Sequence, residues 1–196
     1  RARAFEMLAF ILLYKLGDVL AMALSTPFMM ELGFTRQEIG YVSKGVGFAS
    51  AIVGSLVGGA LMVKLSMRQS LYYFGVVQCG SIIYFSHLAM VGRDYTVMAI
   101  AVAIENFCSG LGTAAFVAFL MSLCNKRFSA TQYALLSSLA ALTRILIGSS
   151  TGYIAVQIGW PMFFVFSTAA AIPGLLLVLW RYDLWQHGAA SAEVRP

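Results

Sequence analysis

The chain has 196 residues, of which 60% are hydrophobic and only 11% are charged. Soluble domains usually carry about 25% charged residues, so a soluble globule is excluded and a lipid bilayer must cover part of the chain. The net charge is +5, but the distribution of basic residues between loops matters more than this sum, and we expect no nucleic-acid partner.

Six stretches are long and apolar enough to cross the hydrocarbon core, which takes about 20 helical residues. In chain order they comprise residues 4–30, 39–63, 71–91, 95–123, 133–157 and 161–182. The breaks between them are short and carry turn or helix-capping residues. These features predict an all-α integral membrane protein, with six transmembrane helices in one domain over residues 1–185 and a disordered tail over residues 186–196.

The basic residues outside the spans predict the topology, because cytoplasmic loops of membrane proteins retain Lys and Arg. Only Arg36 and Arg93 belong to the loops on one side of the predicted membrane domain. The opposite side carries Arg1, Arg3, Lys64, Arg68, Lys126, Arg127, Arg181 and Arg195. We therefore expect both termini in the cytoplasm.

A loose internal repeat relates the two halves of the chain. Residues 34–40 recur at residues 128–134, and both copies have the S/T-x-x-E/Q form of a helix capping box. The same offset pairs two GxxxG motifs, Gly54 and Gly58 with Gly148 and Gly152. Because the first copy begins outside and the second inside, the pattern predicts the inverted 3+3 repeat found in each half of the major facilitator fold.

Five ionisable residues lie well inside the predicted spans, and each costs about 3 kcal/mol on insertion scales at the bilayer centre. They are Lys15, Asp18, Lys44, Glu105 and Arg144. Lys44 lies near the outer end of its span, which suggests an external vestibule, and the others lie near the midplane. The set predicts a polar cavity. The alternative is that Lys15–Asp18 and Glu105–Arg144 are buried pairs that hold helices together.

The residue types suggest how such a cavity would work. The candidate substrate-binding residues are Lys15, Lys44, Asn106 and Arg144, and the candidate proton carriers are Asp18 and Glu105. A guanidinium can clamp a carboxylate bidentately and stays charged when desolvated. Glu105 has no basic neighbour one turn away on its own helix, so it is the better proton carrier unless Arg144 pairs with it. Gln78 is interpreted as an interhelical hydrogen bond.

Enzymatic and metal chemistry have no support in the sequence. Cys79, Cys108 and Cys124 lie in apolar stretches without metal-ligand spacing, and the two histidines lie near the edges of spans or beyond them. We expect no cofactor, no metal and no enzymatic activity.

Several strings resemble the AmpG muropeptide permeases of the major facilitator superfamily. They are residues 13–18 (LYKLGD), 105–108 (ENFC) with Gly112-Thr113, 123–126 (LCNK) with 128–132 (FSATQ), and 169–174 (AAAIPG). The match extends over nearly the whole chain and corresponds to the family's C-terminal half. The loop after the second span departs from the facilitator motif, with Val63 in place of Asp and Ser66 in place of Gly.

The resemblance implies proton-coupled import of anhydro-muropeptides across the bacterial inner membrane, in peptidoglycan recycling linked to β-lactamase induction. It also implies that an N-terminal six-helix half, in the same polypeptide or a separate one, supplies the rest of the binding site. Two alternatives stay open. One is a related carrier of another anionic substrate such as an acyl-CoA, and the other is a membrane scaffold or sensor that does not transport.

Overall fold

The computed structural model describes residues 9–123 and 129–193, without the side chains of residues 129–130, 139–140, 142–150, 154 and 181–193. The described residues are helical apart from short connections, and they include no strand. The helices are α1 (Leu16–Ala23), α2 (Ser25–Glu31), α3 (Arg36–Tyr41), α4 (Phe48–Met62), α5 (Met67–Val91), α6 (Tyr95–Leu123), α7 (Ser129–Ile158) and α8 (Trp160–Glu193). A π-helical turn, Val42–Gly47, joins α3 to α4.

The helices coincide with the predicted spans, and the all-α membrane fold is confirmed. Five helical segments of the described chain have the length and apolar composition to cross a bilayer: Ala9–Glu31, Arg36–Met62, Met67–Val91, Tyr95–Leu123 and Trp160–Trp180. The predicted fifth span lies on α7, whose 30 residues correspond to about 45 Å of helix. At the other end, α8 continues to Glu193, so residues 186–193 are helical where we expected disorder. The run from Ala189 to Glu193 is rich in alanine, the best helix former.

The first segment is not one continuous helix. Residues 9–14 are helical, and a break at Lys15 separates them from α1. A second break, at Leu24, separates α1 from α2. Pro27 accounts for the second break, because it has no N–H to donate to the carbonyl of Ala23, four residues earlier. The first break places Lys15 at a turn (φ −91°, ψ −3°).

Two apolar clusters occupy opposite ends of the helices. The Phe28 cluster comprises Phe28, Phe34, Phe85, Met98, Phe163 and Phe164 with their neighbours. The Phe116 cluster comprises Phe10, Tyr14, Leu71, Phe74, Phe116, Phe119 and Val178 with theirs. Aromatic contacts hold each one together: the rings of Phe28 and Phe164 lie 5.0 Å apart, and Tyr14 stacks on Phe116 at 5.6 Å. A thin layer that contains polar side chains remains between them.

Side-chain contacts at the two ends of the bundle show which helix ends lie together. Arg93 reaches Glu38 at 3.3 Å, and its guanidinium lies over the ring of Phe34. At the opposite end, Arg68 donates a hydrogen bond to the carbonyl of Leu179 at 2.5 Å. The first two of the three loops predicted to lie outside therefore share one end of the bundle. The capping box of Thr35 and Glu38 is confirmed, whereas its predicted repeat includes Phe128, which lies outside the described residues.

Glycines bring α4 and α6 into backbone contact. A Cβ on Gly54 would overlap the carbonyl oxygen of Phe107 and lie 2.9 Å from its carbonyl carbon. A Cβ on Gly58 would lie 3.1 Å from the Cα atom of Leu111. Small residues at such crossings are what permits close helix packing in lipid. Gly152, which the repeat relates to Gly58, has no described atom within 4 Å of a Cβ.

The α4–α6 contact predicts the effect of Gly54→Ala. The added methyl group must push the two backbones apart, and overpacking of this kind costs about 1–3 kcal/mol. We expect a lower thermal unfolding midpoint for the protein in detergent micelles. Gly59→Ala is the matched control, because a Cβ at Gly59 on the same helix meets no atom within 4 Å. Equal midpoints for the two variants would contradict the packing argument.

Candidate functional site in the polar layer

The layer between the two apolar clusters collects the charged side chains at mid-depth. On α6, the Phe28 cluster ends at Val102 and the Phe116 cluster begins at Phe107. Glu105 lies between these positions, with only 1% of its surface exposed. Lys15 and Asp18 occupy the equivalent interval of the first segment, between Tyr14 and Ala21. These three charged side chains therefore lie at one level, with apolar side chains above and below.

Lys15 connects the first segment to α6. Its Nζ donates to Asp18 Oδ2 at 3.2 Å and to Thr113 Oγ1 at 3.2 Å. Both charged side chains of the pair are only 14% exposed. A pair with this little solvent gains more from its Coulomb attraction than a surface pair does, but removing one partner leaves a buried charge uncompensated. Lys15 therefore has a structural role as well as any role in binding.

Glu105 completes a charged triad with Lys15 and Asp18. Its carboxyl lies within hydrogen-bonding reach of Asp18, and Lys15 is close enough to act on it electrostatically. Among the described residues, no donor reaches Asp18 Oδ1 or Glu105 Oε1. Two carboxyl groups can form a hydrogen bond only when one of them carries a proton. One proton shared between Asp18 and Glu105 would leave the triad with one positive and one negative charge.

Two of the other predicted residues, Lys44 and Asn106, lie apart from the triad. Asn106 donates to the carbonyl of Val102 at 2.8 Å on its own helix, and its amide lies beside Gly47 of the π-helical turn. Lys44 is exposed on that turn. The structure therefore places Lys44 and Asn106 near one stretch of the second span, not with Asp18. Arg144 lies on α7, which packs against α1, but its side chain is outside the described residues.

Two partners of the triad were missed or misread in the sequence. Thr113 has no role among the sequence predictions, yet it is the group that ties Lys15 to α6. Gln78 was interpreted as an interhelical hydrogen bond, but its Nε2 meets no acceptor among the described residues. Instead its amide oxygen lies against Gly112, where a Cβ would collide with it. A single polar residue on an apolar helix indicates that its side chain is buried, but the sequence does not indicate which group it contacts.

The sequence of the chain is similar to those of known transporters. The chain is 47% identical over 180 residues to the anhydromuropeptide permease of Escherichia coli K12, a match that takes in 91% of the chain and 37% of the permease. It is 37% identical over 172 residues to a Rickettsia prowazekii protein that carries the name transporter AmpG 1, covering 88% of the chain and 39% of that protein. An uncharacterized Haemophilus influenzae protein is 36% identical over 199 residues.

No family model matches the chain, and the chain spans less than half the length of each of these relatives. The relatives are named as a permease and as a transporter, and none of the three is named as an enzyme. The resemblance predicted from the short strings is confirmed by these identities. The chain is a multi-pass membrane protein related, over most of its length, to the AmpG-type permeases.

Proposed function

We propose that the chain is part of a carrier that moves anhydro-muropeptides, together with protons, across the bacterial inner membrane. The observation that carries this proposal is the triad of Lys15, Asp18 and Glu105, buried between two apolar clusters. Ionisable groups at this depth are costly, and in transporters they mark substrate and proton pathways. The name of the Escherichia coli relative supplies the substrate class.

Proton coupling follows from the composition of the triad. Two carboxyl groups within hydrogen-bonding reach of each other bind protons as one coupled unit. Gain or loss of a proton changes the charge of a group enclosed by apolar side chains, and it also changes which hydrogen bonds Asp18 can make. A protonation step can thus alter the contact between the first segment and α6. Such a coupling between a charge and a helix contact is what a proton-driven carrier requires.

The anionic substrate would be attracted by the cations outside the triad's own ion pair. Muropeptide stems carry carboxylates, and Arg144 is suited to hold one because its guanidinium forks onto both oxygens. Lys44, exposed on the π-helical turn, would assist at the entrance, with Asn106 near the same turn. Helices outside this chain would form the remaining wall of the cavity, since the relatives are more than twice as long.

The proposed topology places both termini and Lys64 in the cytoplasm, and Arg36 outside. In a chain whose own cysteines are replaced, a membrane-impermeant thiol reagent should label Lys64→Cys only in inside-out vesicles. Arg36→Cys should be labelled only in right-side-out vesicles, because the loops with few basic residues are the translocated ones. Labelling of both variants from the same side would contradict the proposed crossing pattern.

Glu105→Gln should abolish proton-driven accumulation of labelled anhydro-muropeptide by the full-length carrier in vesicles. The amide cannot take up or release the proton, although it can still hydrogen-bond to Asp18. Exchange of substrate down its own gradient should persist, since it needs no net proton movement. Glu31→Gln is the matched control, as the same change at an exposed carboxylate. Accumulation that survives Glu105→Gln would reduce Glu105 to a structural role.

Arg144→Gln should weaken substrate binding itself. Loss of a charge-assisted hydrogen bond is worth about 1.5–3 kcal/mol, so the Kd should rise by about tenfold to a hundredfold. Binding of labelled anhydro-muropeptide to the purified full-length carrier measures this directly. Arg36→Gln is the control, an identical change at an exposed arginine. An unchanged Kd for Arg144→Gln would remove Arg144 from the binding site.

A further inference from the structure

A small cavity adjoins the charged triad at Asp18. It measures about 10 Å³ and lies between the first segment, α5 and α8, which is the room of about one water molecule. Asp18 and Gln78 contribute polar groups to its wall, and Ile82, Ala171 and Leu175 contribute apolar ones. The cavity is therefore a polar niche of one-water size at the level of the buried carboxyl groups.

Gln78 carries a buried hydrogen-bond donor that no described residue satisfies. It is 6% exposed, and its Nε2 reaches no acceptor in the described protein. Its amide oxygen is the end nearest Gly112, and its nitrogen is the end further from that glycine. A buried amide N–H without an acceptor costs about 1–3 kcal/mol. The cavity offers the place where this donor can be satisfied.

The carboxyl of Asp18 is the strongest acceptor around the cavity, because hydrogen bonds to a charged group are stronger than those to a neutral one. The hydroxyl of Tyr14 uses its proton on the carbonyl of Leu71 at 3.0 Å, and its oxygen is left as a neutral, weaker acceptor. Asp18 Oδ2 accepts from Lys15, while Oδ1 accepts from no described donor. A carboxylate oxygen has room for two hydrogen bonds, so a proton shared with Glu105 does not exhaust it.

We propose that the cavity is a one-water site, in which a water accepts a hydrogen bond from Gln78 Nε2 and donates one to the carboxyl of Asp18. Gln78 then acts as a positioning residue for the proton coupling proposed above, on which the functional meaning of this site rests. The ligand is water and not a metal cation, because an amide N–H directed at the site repels a cation. The bound water keeps the carboxyl of Asp18 hydrogen-bonded when that carboxyl gains or loses a proton.

The titratable groups that face Asp18 come from several elements. Lys15 lies on its own segment, Glu105 on α6, and Cys79 of α5 and Tyr14 line the same cavity. The part of α8 from Trp160 to Trp180 contains no titratable residue. Arg144 belongs to α7, and the side chain of Arg144 is outside the described residues. The water site therefore acts on a group already coupled to Lys15 and Glu105.

Infrared difference spectroscopy of the full-length carrier, between acidic and neutral pH, tests the site directly. We expect a water O–H stretching band that shifts in H₂¹⁸O. Gln78→Met keeps the volume of the side chain and removes the donor, so it should abolish this band and slow proton-driven uptake on the order of tenfold. Gln78→Asn, which retains an amide, should keep the band.

Ser86→Ala is the matched control on the same helix. Ser86 is buried and donates to the carbonyl of Pro161 at 3.1 Å, but it does not line the cavity. It should leave both the band and the uptake rate unchanged. An equal effect of Ser86→Ala would assign the loss to helix packing and overturn the proposal.

Two further outcomes would overturn the water site. One is the absence of an H₂¹⁸O-sensitive band in the unsubstituted carrier, and the other is its persistence in Gln78→Met. If Gln78→Met does not fold, Asp18→Asn serves instead, because changing the acceptor must move the frequency of the same band. The result is distinct from the test of transport: a carrier that accumulates substrate without the band refutes the water site alone, and failed accumulation with the band present refutes the coupling alone.

Discussion

The burial of one ammonium and two carboxyl groups in a thin polar layer is the constraint on which the structure depends. Glu105 is fully buried and Lys15 and Asp18 are mostly buried, so their charges are satisfied mainly by each other and by neighbouring side chains. This requirement fixes the depth at which the first segment and α6 meet. It also gives the helices a register, because apolar side chains alone would tolerate sliding along the bundle axis.

The two apolar clusters and the polar layer depend on each other. The clusters keep bulk solvent away from the layer, which strengthens the electrostatic interactions within it. In return, the interaction of Lys15 with Thr113 links helices whose apolar surfaces gain little from association in lipid. Close approach at glycines brings the helices near enough for these short polar contacts, both where α4 meets α6 and where the first segment meets α8 at Gly17 and Gly174.

The irregular backbone lies close to the candidate functional residues. Lys15 stands at a break in the first segment, and Lys44 stands on the π-helical turn of the second. Non-α turns inside long helices are frequent at functional sites, because they alter the direction of side chains and weaken the helix locally. Breaks of this kind are tolerated at membrane depth where surrounding protein satisfies the freed backbone groups. Both cations are thus held on segments that can change their local conformation at modest cost.

The sequence by itself determined the membrane class, the positions of the helices and the depth of the charges, because hydropathy and span length are local properties. It also identified the Thr35–Glu38 capping box and the residues of the charged triad. Only the tertiary structure decided which of these side chains meet. It joined Lys15 to Thr113 across 98 residues, turned Asn106 away toward Gly47, and left Gln78 beside the cavity. These outcomes depend on how each helix is rotated and crossed. Helices that are apolar nearly all round carry little periodicity to predict that rotation.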